Sequence, residues 1–65
     1  MCQAKVYLRQ DGQEIEIMKE VIGIEITEEG LILKSFFEEP KEIKGRIREI
    51  DFLKHFVIIE PEGQT

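Results

Sequence analysis

Cys2 is the only cysteine and His55 the only histidine in this chain of 65 residues, and these two side chains carry most of its capacity for soft-metal or nucleophilic chemistry. A lone thiol forms no internal disulfide. Directly after Met1, Cys2 has backbone nitrogens within chelating distance, and thiolate plus backbone nitrogen is a donor set for a soft or square-planar metal ion. One thiolate per chain is too few ligands for a tight site, so a two-fold dimer would bring two Cys2 side chains together. Two thiolates and two backbone nitrogens suit Ni(II) in a square plane or Zn(II) in a tetrahedron, with Cu(II) a competitor by intrinsic affinity. The plainer alternative is an inert terminal thiol. His55 reads either as a surface residue at the end of a turn or as an auxiliary imidazole ligand.

Other chemistry-bearing patterns are missing from the sequence. There is no Cys-x-x-Cys pair and no helical His pair, and the five glycines stand singly rather than in a phosphate-binding loop. A Cys2–His55 nucleophilic dyad would require the last strand to lie beside the first. A domain of this size leaves little room for a substrate pocket and an oxyanion hole, so the chain is read as a non-enzyme. The carboxylates of Glu14/Glu16, Glu28/Glu29 and Glu38/Glu39 fall on strand exteriors or turns and show no convergence on a hard cation. Net charge is −5, with nine basic residues interleaved among fourteen acids. Lys44, Arg46 and Arg48 form the one basic cluster, flanked by Glu42, Glu49 and Asp51; it reads as a solvated strand face, not a nucleic-acid surface.

Length predicts one domain, 1–65. At this size only about 60% of the unfolded surface is buried, so a monomer is marginal and dimerisation would relieve the deficit. A hydrophobic fraction of 42% argues against disorder despite 35% charged residues. The longest apolar run, Phe56-Val57-Ile58-Ile59, is far too short to span a bilayer, and the N-terminus has neither the basic nor the apolar segment of a signal peptide. An unpaired cysteine fits a reducing cytoplasm.

Hydrophobic periodicity is two almost from end to end, which predicts strands. Ala4, Val6 and Leu8 mark the inner face of a first strand. Asp11-Gly12 predicts a type I′ hairpin turn, and Glu14-Ile15-Glu16-Ile17 returns as the second strand. Met18-Lys19-Glu20 reads as a short connection to a third strand with Ile22, Ile24 and Ile26 inward and a bend or bulge at Gly23. Glu28-Glu29-Gly30 is a tight turn with Gly30 in left-handed geometry. A fourth strand is expected over 31–37, where Phe36 and Phe37 cannot both point into one core. Two pieces over 42–44 and 46–51 bend at Gly45, and the three-residue step from Ile47 to Ile50 predicts a bulge or turn. One helical turn over 52–55 precedes a last strand over 56–60, stopped by Pro61, with a frayed tail beyond. Six or seven short strands imply an all-β fold, a small antiparallel β-barrel, closed or nearly so.

The opening Met1-Cys2-x-Ala4-Lys5-Val6, the turn at Asp11-Gly12 and the Glu-Ile alternation after it resemble the CooT family. The Ile-rich third strand, the acidic stretch before Pro40 and the segment from Gly45 to Asp51 extend the resemblance over essentially the whole chain. CooT proteins are small nickel-binding accessory proteins of carbon monoxide dehydrogenase maturation. The resemblance implies an SH3-like or HypC-like barrel, a cytoplasmic homodimer binding one Ni(II) per dimer through Cys2 of both chains, and no enzymatic turnover. Its implied partners are a second copy and carbon monoxide dehydrogenase or its other maturation proteins; family members have also been labelled RNA-binding, but the interleaved charges argue against nucleic acid, and no apolar run is of membrane length. Backbone nitrogens of Cys2 or Gln3 are chemically reasonable co-ligands, depending on removal of Met1. The HypC-type hydrogenase chaperones also begin Met-Cys on a small barrel but usually carry proline three residues after the cysteine, where Lys5 stands here. The alternatives are an RNA- or protein-binding barrel with an incidental Cys2, or a HypC-like thiol chaperone.

Overall fold

Alternating apolar and charged residues give strands, and the computed structural model, which describes residues 4–61, resolves them into six. They are β1 (Ala4–Gln10), β2 (Gln13–Ile26), β3 (Leu31–Ser35), β4 (Lys41–Ile43), β5 (Gly45–Asp51) and β6 (Phe56–Pro61). All six share one sheet in the order β4-β3-β2-β1-β6-β5. The sheet curls into a half-barrel, so that the turn after β2 (Thr27, Gly30) and the start of β5 (Gly45, Arg46) line the same hollow. The expected small all-β barrel is thus present. Its sheet is mixed, because β1 and β6 run parallel, Lys5 through Leu8 pairing with Phe56 through Ile59. No hairpin joins these two strands, so nothing local forces them antiparallel.

Asp11 (φ 54°) and Gly12 (φ 76°) adopt the paired positive angles of a type I′ turn, closed by Gln10 opposite Gln13. From there the second and third expected strands are one. Met18-Lys19-Glu20, read from sequence as a connection, lies inside the continuous β2. The strand absorbs the irregularity through bulges. Ile17 is extra between the pairs Tyr7–Glu16 and Val6–Met18, and Lys19 and Glu20 together oppose Lys5 before Ala4 meets Val21. Glu20 takes φ 54° to do so. A further bulge against β3 leaves Ile22 extra between Val21 and Gly23, beside the glycine where a bend is expected.

Each bulge reverses the side-chain phase. The β2 residues opposite the inward Leu8, Val6, Ala4 and Leu33 are therefore Ile15, Met18, Val21 and Ile24, each three apart. This corrects the expected inner face of Ile22, Ile24 and Ile26: Met18 and Val21 are buried and Ile24 packs against the core, while Ile22 and Ile26 are 48% and 72% exposed. The core is Val6, Met18, Val21, Leu31, Leu33, Val57 and Ile59.

Three further expectations meet the structure. β3 ends at Ser35, short of the strand expected over 31–37, because the Ser35 hydroxyl accepts the Phe37 amide at 3.1 Å and turns the backbone out of the sheet. Phe36 and Phe37 both end exposed, edge to face. The two pieces part at Lys44, one residue before the bend expected at Gly45, which opens β5 opposite Pro61; the bulge between Ile47 and Ile50 is present, between Ile47 and Glu49 in the pairing with β6. Gly45 is required there, since a Cβ would stand 2.5 Å from the Glu60 carbonyl oxygen. Residues 52–55 form a turn and no helix, because Asp51 pairs directly with Phe56 and leaves only a four-residue hairpin loop. The Asp51 carboxylate accepts the Lys54 amide at 2.8 Å, and His55 closes the loop at φ 60°. The tail expected beyond Pro61 lies outside the described residues.

Two stability outcomes follow. Leu33→Ala, at a fully buried position, is expected to cost about 2–5 kcal/mol in urea unfolding. Glu20→Gly relieves a left-handed residue whose side chain is exposed, and is expected to raise the unfolding free energy by up to about 1 kcal/mol.

Candidate functional site

Parallel pairing puts the start of β6 beside the start of β1. The Lys5 amide donates to the His55 carbonyl oxygen at 3.0 Å, and Lys5 lies in register with Phe56. The adjacency of last and first strands considered from sequence is therefore real, and it sets His55 next to the chain's entry into the sheet. Cys2 and Gln3, the sequence-predicted metal-binding residues, lie outside the described residues. Covalent geometry alone holds the Cys2 Cα within about 7 Å of the Ala4 Cα.

Around this end of the sheet the half-barrel leaves an open apolar trough of about 380 Å³ between β2 and the β5–β6 hairpin. Ala4, Val21, Ile22 and Ile26 line it from one side, and Ile50 and Phe52 from the other. Phe52 is 83% exposed, and Leu53 beside it 85%. Asp51 and His55 are the titratable side chains in its lining. Asp51 Oδ1 accepts the Lys54 amide, which leaves its second oxygen and the His55 imidazole as polar groups in the lining. Sequence reasoning missed the trough because Ile22 and Ile26 read as core; only the step from Ile47 to Ile50, which marks the bulge in β5, hinted at its far wall.

Among the described residues, no three His, Cys, Asp or Glu side chains are placed to hold a metal ion. The basic cluster is likewise no open cationic surface. Lys44, Arg46 and Arg48 are exposed, but Arg46 sits directly opposite Glu60 and the Arg48 Nε is 4.0 Å from the Glu60 carboxylate. On β1, Arg9 donates to Glu14 at 2.7 Å. That hydrogen bond raises the guanidinium's pKa against the opposing effect of burial, and the charges of Glu14, Glu49 and Glu60 add to it. Positive and negative side chains thus alternate on this face. Tyr7 packs edge to face on Phe56 at 6.2 Å, a contact within the protein rather than a free stacking platform.

A single mixed sheet curled around a small apolar core, with an open trough where its first and last strands begin, defines a small β-barrel protein. The chain belongs to the CooT family: the family model described as CO dehydrogenase accessory protein CooT matches residues 1–60. A crystal structure of a protein assigned as CooT, from Carboxydothermus hydrogenoformans, superposes with a TM-score of 0.87 at 29% identity, covering 95% of this chain and 100% of that one. An uncharacterized protein of Methanothermobacter thermautotrophicus is 34% identical over 62 residues, 95% of this chain and 92% of that protein. Among the described residues no helix is long and apolar enough to cross a membrane.

The left-handed backbone at His55 dictates how its side chain is tested. His55→Gly is expected to keep the turn and the unfolding midpoint, because glycine accepts φ 60° freely. His55→Val is expected to lower the midpoint, because a β-branched residue is strained there. Any change of function in His55→Gly then reports the imidazole and not the loss of the turn.

Proposed function

We propose that this protein is a nickel-binding accessory protein of carbon monoxide dehydrogenase maturation, holding one Ni(II) between the Cys2 thiolates of two chains. The observation that carries this reading is the CooT family match, which runs from residue 1 to residue 60 and so includes Cys2. Chemistry supports it. A thiolate with its own or the next backbone nitrogen, at Cys2 or Gln3, is a strong-field pair, and two such pairs satisfy the square plane that Ni(II) favours. Donors supplied by two separate chains also make the ion easy to release, since separating the chains halves the ligand set. That suits cargo to be passed to the enzyme or its other maturation proteins in the cytoplasm, with binding and transfer in place of turnover. His55, beside the entry to β1, is the one imidazole available to assist capture or release.

The reading is tested by titrating purified protein with Ni(II) under near-UV absorption and native mass spectrometry. Thiolate-to-nickel charge-transfer bands are expected to saturate at one metal per two chains. Cys2→Ser is expected to abolish both bands and stoichiometric binding while leaving the unfolding midpoint unchanged. Nickel affinity unaltered by Cys2→Ser would reject the proposal.

A further inference from the structure

We infer that the loop 36–39, which carries Phe36 and Phe37, is the contact by which this protein docks on carbon monoxide dehydrogenase, its two rings entering an apolar cleft rimmed by lysine and arginine. The inference rests on the accessory-protein reading and assigns that reading its partner surface. Phe36 and Phe37 are 64% and 75% exposed, and together present on the order of 250–300 Å² of aromatic surface. Neither ring belongs to the core cluster. Their exposure is built in by the backbone. The Ser35 hydroxyl accepts the Phe37 amide at 3.1 Å, the rings support each other edge to face at 6.3 Å, and Pro40 restricts the chain on the far side of the loop. An aromatic pair held in this way loses little freedom on binding, and aromatic side chains are common anchors of protein interfaces.

Charge selects the partner. Glu38 and Glu39 follow the rings directly and are exposed, and among the described residues neither enters an ion pair. Lys34, before the loop, is held by Glu25 at 3.2 Å. The aromatic knob is therefore bordered by two negative charges on a chain that carries −5 overall. A second copy meeting this loop about a two-fold axis would gather four carboxylates around one contact, and an anionic lipid surface would repel them. A protein cleft with an apolar floor and a basic rim satisfies both parts of the loop. Position gives the docking a use. Ser35 pairs with Val21, and Val21 with Ala4, so two strand spacings, about 10 Å, separate the root of the loop from the start of β1. Cys2, two residues before Ala4, is within about 7 Å of it by chain length. A partner seated on Phe36 and Phe37 thus comes within reach of an ion held by the thiol.

The test is the affinity of this protein for purified nickel-free carbon monoxide dehydrogenase by biolayer interferometry. The wild type is compared with Phe36→Ala, Phe37→Ala, the double variant Glu38→Lys with Glu39→Lys, and the double variant Glu28→Lys with Glu29→Lys. All the substituted side chains are exposed, so each variant is expected to keep wild-type circular dichroism. Each phenylalanine variant is expected to weaken docking at least about tenfold. Reversing Glu38 and Glu39 is expected to weaken it and to flatten its dependence on salt. Reversing Glu28 and Glu29, which changes the net charge equally on another turn, is expected to leave it unchanged. A wild type that does not dock at 100 μM, or docking that ignores both phenylalanine variants, overturns the inference. So does a phenylalanine variant that only lowers the mass of the protein's own assembly in ultracentrifugation, or one that only releases it from phosphatidylglycerol vesicles; the loop's occupant is then a second copy or a lipid surface. Nickel titration separates the two readings. Phenylalanine-dependent docking by a protein that takes up no Ni(II) sinks the nickel proposal and keeps this one. One Ni(II) per two chains in a protein whose docking ignores Phe36→Ala and Phe37→Ala sinks this one and keeps nickel.

Discussion

Four residue pairs between β1 and β6 hold this protein together as one object. Without them β1 to β4 would be a meander and β5–β6 a separate hairpin, each too small to bury a core. With them Val57 and Ile59 join Val6, Met18 and Leu33 in a single cluster. The same pairing fixes function-bearing geometry, because it sets the β6 start and His55 against Lys5. The trough is a by-product of this arrangement: β5 and β2 face each other across β6 and β1 but are not paired.

How much of this was legible depended on whether the strands kept a period of two. β1, the Asp11-Gly12 turn and the break at Gly45 obey simple local rules and stand where the sequence predicts them. The irregular step from Ile47 to Ile50 announced its bulge because both residues are apolar and their spacing is odd. In β2 the opposite happened. Its inward residues fall three apart through successive bulges, but isoleucines at 22, 24 and 26 imitate a regular strand so well that the true inner residues, Met18 and Val21, were hidden. Phe36 and Phe37 misled for a related reason: hydrophobicity suggested strand, and one hydroxyl at Ser35 decided otherwise. Cys2 and His55 were recognisable by type alone. The trough that His55 helps to line was not, because it consists of residues that composition assigns to a core.

The sheet's edges are guarded against strand addition. β4 has only three residues, and β5 is bulged at Arg48 with Arg46 and Glu49 exposed beside it. Short, bulged and charged edges resist strand addition. Exposed apolar side chains lie away from these edges' backbone, at the trough (Ile22, Ile26, Ile50, Phe52) and after β3 (Phe36, Phe37).

The distance along the chain between β1 and β6 has a consequence for how the protein is made. Lys5 and Phe56 lie about 50 residues apart, a closure that local structure cannot hasten. During translation the β1–β2 hairpin can form as soon as it clears the ribosome. The β1–β6 pairing cannot, because β6 is the last strand to emerge. A nascent chain thus holds β1 without its parallel partner until synthesis reaches β6, and closure of the sheet is deferred to the finished polypeptide by topology alone.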